Sequence, residues 1–159
     1  MSKVIIIMGS KSDMGWAEKI KDSLDKFGIK SEIRIASAHK VPLKCYEIIK
    51  EYDQKEENLV FITVAGRSNA LSGFVDAQTH IPVLACPPYS DKFSGVDIFS
   101  SLRMPSGVSC MTVLEPSNVA LAAAKILALK DSKIKESIIS FQKRIKEEIQ
   151  KADEEVKNG

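Results

Sequence analysis

No stretch of this 159-residue chain approaches the roughly 18 consecutive apolar residues that a membrane-crossing helix requires. No charged-then-apolar leader is recognisable either, so neither a membrane nor a secretory route is expected. Cysteine is scarce: Cys45, Cys86 and Cys110 are odd in number, far apart and without a Cys-x-x-Cys pair. That excludes a disulfide framework and fits reduced structural thiols in a cytoplasmic setting. The histidines, cysteines and carboxylates show no metal-ligand spacing, and no metal is expected. Neither sign of charge dominates. The 23 Lys and Arg against 21 Asp and Glu leave a net charge of +2, with bases scattered among acids. No nucleic-acid partner follows from such a balance. Repeats and low-complexity tracts are missing as well.

What the chain has is alternation. Its length suits one domain with a proper core, and 44% hydrophobic residues are ordinary for a globular protein. An apolar run at residues 3–8 leads into a helical pattern from near Ser12 to Phe27, with Gly28 placed as a C-terminal stop. Ile29 to Ile35 predicts a second strand, and Pro42 suits the first turn of a second helix, whose apolar face continues through Tyr46, Ile49 and Tyr52. Leu59 to Ala65 is apolar on both faces, as a strand inside a parallel sheet should be. Ser68 or Asn69 then caps a helix to about Thr79, and Ile81 to Cys86 forms a fourth strand, followed by a polar loop. Cys110 to Leu114 predicts a fifth strand, and an Ala- and Leu-rich helix begins at Pro116. Strands separated by helices imply right-handed crossovers. The expected fold is α/β, a three-layer α/β/α sandwich with a central parallel sheet, flavodoxin-like, over residues 1–130. From Asp131 to the end, Ile134, Ile138, Phe141, Ile145 and Ile149 recur at spacings of three and four. Residues 131–159 therefore predict a long amphipathic helix that packs on the domain or on a neighbouring subunit.

Ligands of such sheets bind beyond the carboxyl ends of the strands, near the point where strand order reverses. Three turns reach that edge. Gly9 to Asp13 is a strand-to-helix turn in which Gly9 permits a tight bend and Ser12 or Asp13 caps the helix. Its free N–H groups and the hydroxyls of Ser10 and Ser12 suit an anion, and Asp13 suits the hydroxyls of a sugar. Ser37 to Lys40 places an imidazole beside an ammonium. Ala65 to Asn69 adds the cation of Arg67 and the polar side chains of Ser68 and Asn69. One turn rich in Ser and Gly is common; three that together carry His, Lys and Arg point to an anionic ligand.

These residues also carry a resemblance. Gly9-Ser10-Lys11-Ser12-Asp13, Ser37-Ala38-His39-Lys40, the Ala65-Gly66 turn and Ser101 to Gly107 resemble the PurE family of purine biosynthesis, over about residues 3 to 130. Members of one branch rearrange N5-carboxyaminoimidazole ribonucleotide and usually carry Ser-Ala-His-Arg-Thr-Pro after strand two and a histidine in the strand-three turn. Here the first reads Ser37-Ala38-His39-Lys40-Val41-Pro42, and Ala70 stands where that branch has its second histidine. Lys40, the run Arg67 to Gly73 and Cys86-Pro87-Pro88 resemble the other branch, whose members use carbon dioxide directly.

The resemblance implies carboxylation of 5-aminoimidazole ribonucleotide (AIR) to its 4-carboxy derivative (CAIR), without ATP, biotin or any other cofactor. The mutase is the alternative. An imidazole titrating near about pH 6.5 can move a proton at neutral pH, so His39 is expected to be the base and Lys40 a cationic clamp on phosphate or carboxylate. Ser10 is expected toward the phosphate and Asp13 toward the ribose, with Ser12 beside them. Ser37, Gly66 and Ser68 are expected to line the base and carboxylate pocket. Arg67 is expected on the phosphate or in an interface ion pair. The family's closed rings of four or eight subunits imply a homo-oligomer, with the Pro87-Pro88 and Ser101 to Gly107 segments coming from, or contacting, a neighbouring subunit at the active site. Asp97 and Arg103 flank a loop expected to close over the site or to pack against another subunit. Two other classes stay open. A flavodoxin-like FMN carrier would need rings around the flavin, and only Tyr89 and Phe93 lie in a suitable loop. A signalling receiver would need an acidic residue where strand three ends in Ala65-Gly66.

Overall fold

The structure is a computed structural model that describes residues 1–55 and 57–158. Five strands, β1 (Ser2–Met8), β2 (Lys30–Ile35), β3 (Asn58–Val64), β4 (Val83–Ala85) and β5 (Met111–Thr112), form one sheet in the order β2-β1-β3-β4-β5. Every pairing is parallel. Helices α1 (Met14–Asp25), α2 (Pro42–Asp53), α3 (Ala70–Asp76), α4 (Phe99–Leu102), α5 (Pro116–Leu127) and α6 (Ser132–Asn158) complete the chain.

The two-residue period of β1 and β3 divides the core into two layers. Val4, Ile6 and Met8, with Val60, Ile62 and Val64, face α1, α5 and the start of α6. Ile5, Ile7, Leu59 and Phe61 face α2 and α3, where Ile48, Ile49, Tyr52, Leu71 and Val75 meet them. Both central strands are sealed on both sides, which explains their unbroken apolar sequence. β2, at the edge, is polar instead. Its Glu32 accepts from Lys3 at 2.7 Å and from the Tyr52 hydroxyl at 2.6 Å, while Arg34 bonds Glu51 at 2.8 Å. Such a row of charges protects an unpaired edge from a second strand.

Several boundaries differ from the sequence expectation. α1 starts at Met14, after a 3-10 turn over Lys11–Asp13, and stops at Asp25; Gly28 supplies the left-handed turn at φ 71°. β4 is cut to three residues between Pro82 and Pro87, which have no N–H for the ladder. β5, paired only with that short strand, is shorter still. The stretch after β4 is not a plain loop: a 3-10 segment, Lys92–Ile98, runs into α4. Its signal is broken because Phe93, Ser94 and Gly95 all adopt positive φ. Tyr46 turns outward, and Cys45, Ile48, Ile49 and Tyr52 are the buried face of α2.

α6 is capped by Asp131, whose carboxylate accepts from the N–H groups of Lys133 at 3.1 Å and Ile134 at 3.3 Å. Ile134 and Ile138 are buried, and Phe141 meets Phe27 edge to face at 5.2 Å. Beyond Phe141 the stripe is uncovered, with Ile149 66% and Val156 84% exposed. Among the described residues no helix is long and apolar enough to cross a membrane. The helix should therefore divide energetically at Phe141. Ile138→Ala is expected to cost about 2–4 kcal/mol in urea unfolding, whereas Ile149→Ala in the single chain should stay within about 0.5 kcal/mol. Equal losses would mean that something covers the outer stripe.

Candidate active site

β1 lies between β2 and β3, so the strand order reverses on either side of it. At its end, Met8 O accepts from Ala36 N at 3.0 Å on one side and Gly9 N donates to Val64 O at 3.0 Å on the other. The turns after β1, β2 and β3 thus leave the sheet at one level and open onto one cavity of about 590 Å³. Ser10, Ser12 and Asp13, Ser37, His39 and Lys40, and Gly66, Arg67 and Ser68 all line it, within a single chain.

Each turn is held by its own polar side chains. In the first, Ser10 caps the 3-10 turn: its Oγ accepts from Ser12 N at 3.3 Å and from Ser12 Oγ at 2.9 Å. Asp13 stands at the N-cap position of α1, one of the two expected, but makes no side-chain capping bond there. The half-buried Asp13 carboxyl is instead held above the usual carboxylate range by loss of solvent. Gly9 is also not needed for an unusual bend. Its φ is not positive, and an added Cβ would meet Ala65 Cβ at an ordinary 3.8 Å. Its contribution is a cavity wall without a side chain.

In the second turn, Lys40 N donates to Ser37 Oγ at 3.3 Å and Val41 N to Ser37 O at 2.9 Å, which brings the exposed His39 and Lys40 to the rim. The third turn is anchored from below by Asn69, which is only 3% exposed. Asn69 Oδ1 accepts from Ser72 N at 3.1 Å and Ser72 Oγ at 2.7 Å, and Asn69 Nδ2 donates to Ser101 Oγ at 2.9 Å. Asn69 N donates to Ser100 Oγ at 3.0 Å, and Thr63 Oγ1 lies 2.7 Å from Ser72 Oγ. This buried network fixes the turn that carries Gly66, Arg67 and Ser68, and it ties β3 and α3 to α4.

The remaining wall is only partly legible in the sequence, which offers Pro88 and a loop flanked by Asp97 but assigns no role to Ser90, Asp91 or Lys92. It is formed by Pro88 to Lys92 and by Asp97 of the same chain. Gly66 packs under it, where a Cβ would meet Pro88 Cδ at 3.5 Å. Pro87-Pro88 was expected at the active site through a subunit contact; Pro88 lines this chain's own cavity. Arg103, expected beside this loop, is not among the lining residues. The signal for the wall was present in Lys92, a third cation beside Lys40 and Arg67. None of these three takes part in an ion pair between described residues, so their charge is directed at the cavity and at solvent.

Other candidates are structural. Trp16 donates to Cys86 O at 3.2 Å and meets Tyr89 edge to face at 5.2 Å, and the Tyr89 hydroxyl donates to Glu115. Burial pushes the Cys86 thiol up to about 12 and the Cys45 thiol to about 11, so neither is a nucleophile at neutral pH. His80 lies 3.3 Å from Asp53, the last residue of α2, at the opposite end of the sheet. Among the described residues no group of His, Cys, Asp and Glu could hold a metal ion.

Fold and cavity together define a flavodoxin-like α/β protein with a cationic, hydroxyl-rich site at the topological switch point. The comparisons with known proteins narrow that class. The family model for AIR carboxylase matches residues 3–148. A phosphoribosylaminoimidazole carboxylase of Archaeoglobus fulgidus is 62% identical over 98% of this chain and 85% of its own length. One from Treponema denticola is 51% identical over 97% of both chains. The crystal structure of Treponema denticola PurE superposes with a TM-score of 0.97 at 50% identity, covering 99% of each chain. The chain belongs to the AIR carboxylase, or PurE, family.

Two consequences of this geometry are measurable. Asn69→Ala leaves the buried Ser72 N and Ser101 Oγ without their partners and should cost about 3 kcal/mol in denaturant unfolding. Asp13 works in the opposite sense. Its folded pKa lies above the unfolded one, so its charge opposes folding at pH values above the folded pKa, and the penalty disappears below the unfolded one. Asp13→Asn should therefore raise the melting temperature of the unliganded protein at pH 7. The gain should fade as pH drops through the carboxylate range, and a gain unchanged at acid pH would contradict the assignment.

Proposed function

We propose that this protein carboxylates 5-aminoimidazole ribonucleotide with carbon dioxide to 4-carboxy-5-aminoimidazole ribonucleotide, a step of purine biosynthesis, without ATP or biotin. The observation that carries this is the cavity itself, where His39 shares a rim with Lys40, Arg67 and the Ser10 to Asp13 turn, in a chain of the AIR carboxylase family. Relatives that match it along nearly their whole length bear the name of that activity.

The chemistry needs little beyond positioning. The amino group of the imidazole makes carbon 4 an enamine carbon. Electrons from that nitrogen pass through the ring double bond, a bond forms between carbon 4 and carbon dioxide, and the nitrogen becomes an iminium. Loss of the proton on carbon 4 returns the electron pair and restores the aromatic ring. His39 takes this proton. Lys40 neutralises the new carboxylate. Ser10 and Ser12 hold the phosphate with the N–H groups of their turn, Asp13 accepts from the ribose hydroxyls, and Ser37, Gly66 and Ser68 border the base. Arg67 adds charge toward the phosphate. Holding gas and nucleotide side by side supplies much of the rate.

Carbon dioxide, not the N5-carbamate, is the favoured carboxyl source because Lys40 and Ala70 replace the arginine and histidine of the mutase branch. The protein acts as a homo-oligomer of four or eight copies. Phe93 and Phe99, 75% and 63% exposed beside the cavity, and the bare stripe of α6 are surfaces for such contacts. A fully active monomer in light scattering would refute the assembly.

The decisive assay supplies the purified protein with 5-aminoimidazole ribonucleotide and bicarbonate, in parallel with the N5-carbamate. Product from the first substrate is expected; turnover of the carbamate alone would transfer the protein to the mutase branch. His39→Asn should reduce turnover by at least about 100-fold while the nucleotide still binds in calorimetry. Retained turnover would remove His39 from the reaction.

A further inference from the structure

Asp97 sits where the main cavity meets a second, smaller one of about 220 Å³ bordered by Pro87, Pro88, Ile98 and Leu114. The residue is half-buried, and its Oδ2 is fully buried with no hydrogen-bond partner among the described residues. The other such atom, Ser31 Oγ on β2, is a neutral hydroxyl outside the cavity lining. A carboxylate oxygen that has lost water and found no donor is costly, and the surrounding chain keeps it in place. Asp97 O accepts from Ser100 Oγ at 2.8 Å, and Ser100 Oγ accepts from Asn69 N at 3.0 Å, so Asp97 is coupled to the anchored strand-three turn. Immediately before it, Phe93, Ser94 and Gly95 hold φ values of 51°, 53° and 77°. Two of these are residues for which that conformation is unfavourable, and such strain persists only where its surroundings enforce it.

We infer that Asp97 is the residue that recognises the exocyclic amino group of the substrate. The inference rests on the carboxylase reading and deepens it. The orphaned oxygen needs a donor. The phosphate and the new carboxylate offer none and would be repelled by it. The ribose hydroxyls are donors but belong, in that reading, with Asp13. The amino group remains, and it is the one part of the substrate that gains positive charge during the reaction. When carbon 4 bonds to carbon dioxide, the nitrogen lone pair becomes part of an iminium, and its N–H groups then face an anion next to the apolar walls of Pro88 and Ile98. The field of that anion is strongest in such poorly solvated surroundings. Asp97 thereby favours the transition state over the ground state. When the proton leaves carbon 4, the nitrogen recovers its electron pair and the charge is gone.

The test compares wild type, Asp97→Asn and Asp97→Ala in the full chain. Calorimetry measures binding of 5-aminoimidazole ribonucleotide and of the same ribonucleotide without its amino group, and turnover is followed in parallel. Wild type should prefer the amino compound by about ten- to a hundredfold, the size of a hydrogen bond to a charged group. Asp97→Ala should bring the two ligands to within about threefold of each other, leaving affinity for the analogue intact. Asp97→Asn, which keeps an acceptor but no charge, should lower kcat more than it raises KM. Its melting temperature should stay equal or rise, because a carboxylate with one oxygen lacking any hydrogen-bond partner among the described residues has been replaced by a neutral group. Unchanged discrimination in both variants would overturn the inference, as would an equal loss for both ligands with a smaller particle in light scattering, which would assign the oxygen to a contact between copies. Wild type inactive toward 5-aminoimidazole ribonucleotide would instead refute the carboxylase reading itself.

Discussion

Two backbone hydrogen bonds on opposite sides of one peptide strand govern the molecule. Met8 O accepts from Ala36 N, Gly9 N donates to Val64 O, and both are 3.0 Å long. Because β1 ends its two ladders at the same level, the chain must leave three adjacent strands along a common line. The helices that follow β1 and β3 lie on opposite faces of the sheet, so their first turns diverge and leave a crevice between them. The cavity is therefore a product of topology before any side chain is chosen. Sequence then decides what the crevice holds.

What it holds is kept rigid from below and left open above. Beneath the third turn, Thr63, Ser72, Asn69 and Ser101 are polar groups in an apolar interior, and each has a partner. A satisfied buried network of this kind restricts its loop to one arrangement. At the rim, Lys40, Arg67 and Lys92 are exposed and outside the ion pairs of the described residues. The division has a physical reason. Position must be set by groups that cannot move, whereas the charges that meet an anion lose least if they remain hydrated until it arrives.

The alternation of strands and helices was legible because its signal is local: a buried parallel strand needs an apolar run and a surface helix needs a stripe. The three polar turns were legible for the same reason, since each follows directly on such a run. What escaped notice depended on contacts distant in sequence. Asn69 was one of two possible caps, but its bond to Ser101, 32 residues away, has no local trace. Pro88 and Asp97 were expected at the site or over it, but Ser90 to Lys92 were not: they enter the cavity because β4 lies next to β3, and three successive positive φ values disguise the helical turns that follow. Tyr46 was misplaced because a helical stripe is about three residues wide and the sequence marks its centre better than its margin.

Gly73 shows how far the same reasoning extends. Nothing about its neighbours in sequence demands a glycine, and its φ is ordinary. A Cβ there would lie 3.0 Å from Met104 Sδ, tighter than most side-chain contacts, so Met104 would have to give way by a few tenths of an ångström. Met104 belongs to the segment that runs from α4 toward Ser109, whose N–H donates to Asp76 at 2.7 Å on the same short helix α3. So α3 serves as the base on which two pieces of chain meet. At its N-terminus Asn69 secures the turn of the candidate site, and along its side Gly73 admits the strap that follows α4. Since Ser100 and Ser101, in α4, bond to Asn69, the strap and the turn are parts of one polar clamp. Its members are spread over more than 30 residues of sequence, and the fold alone brings them together.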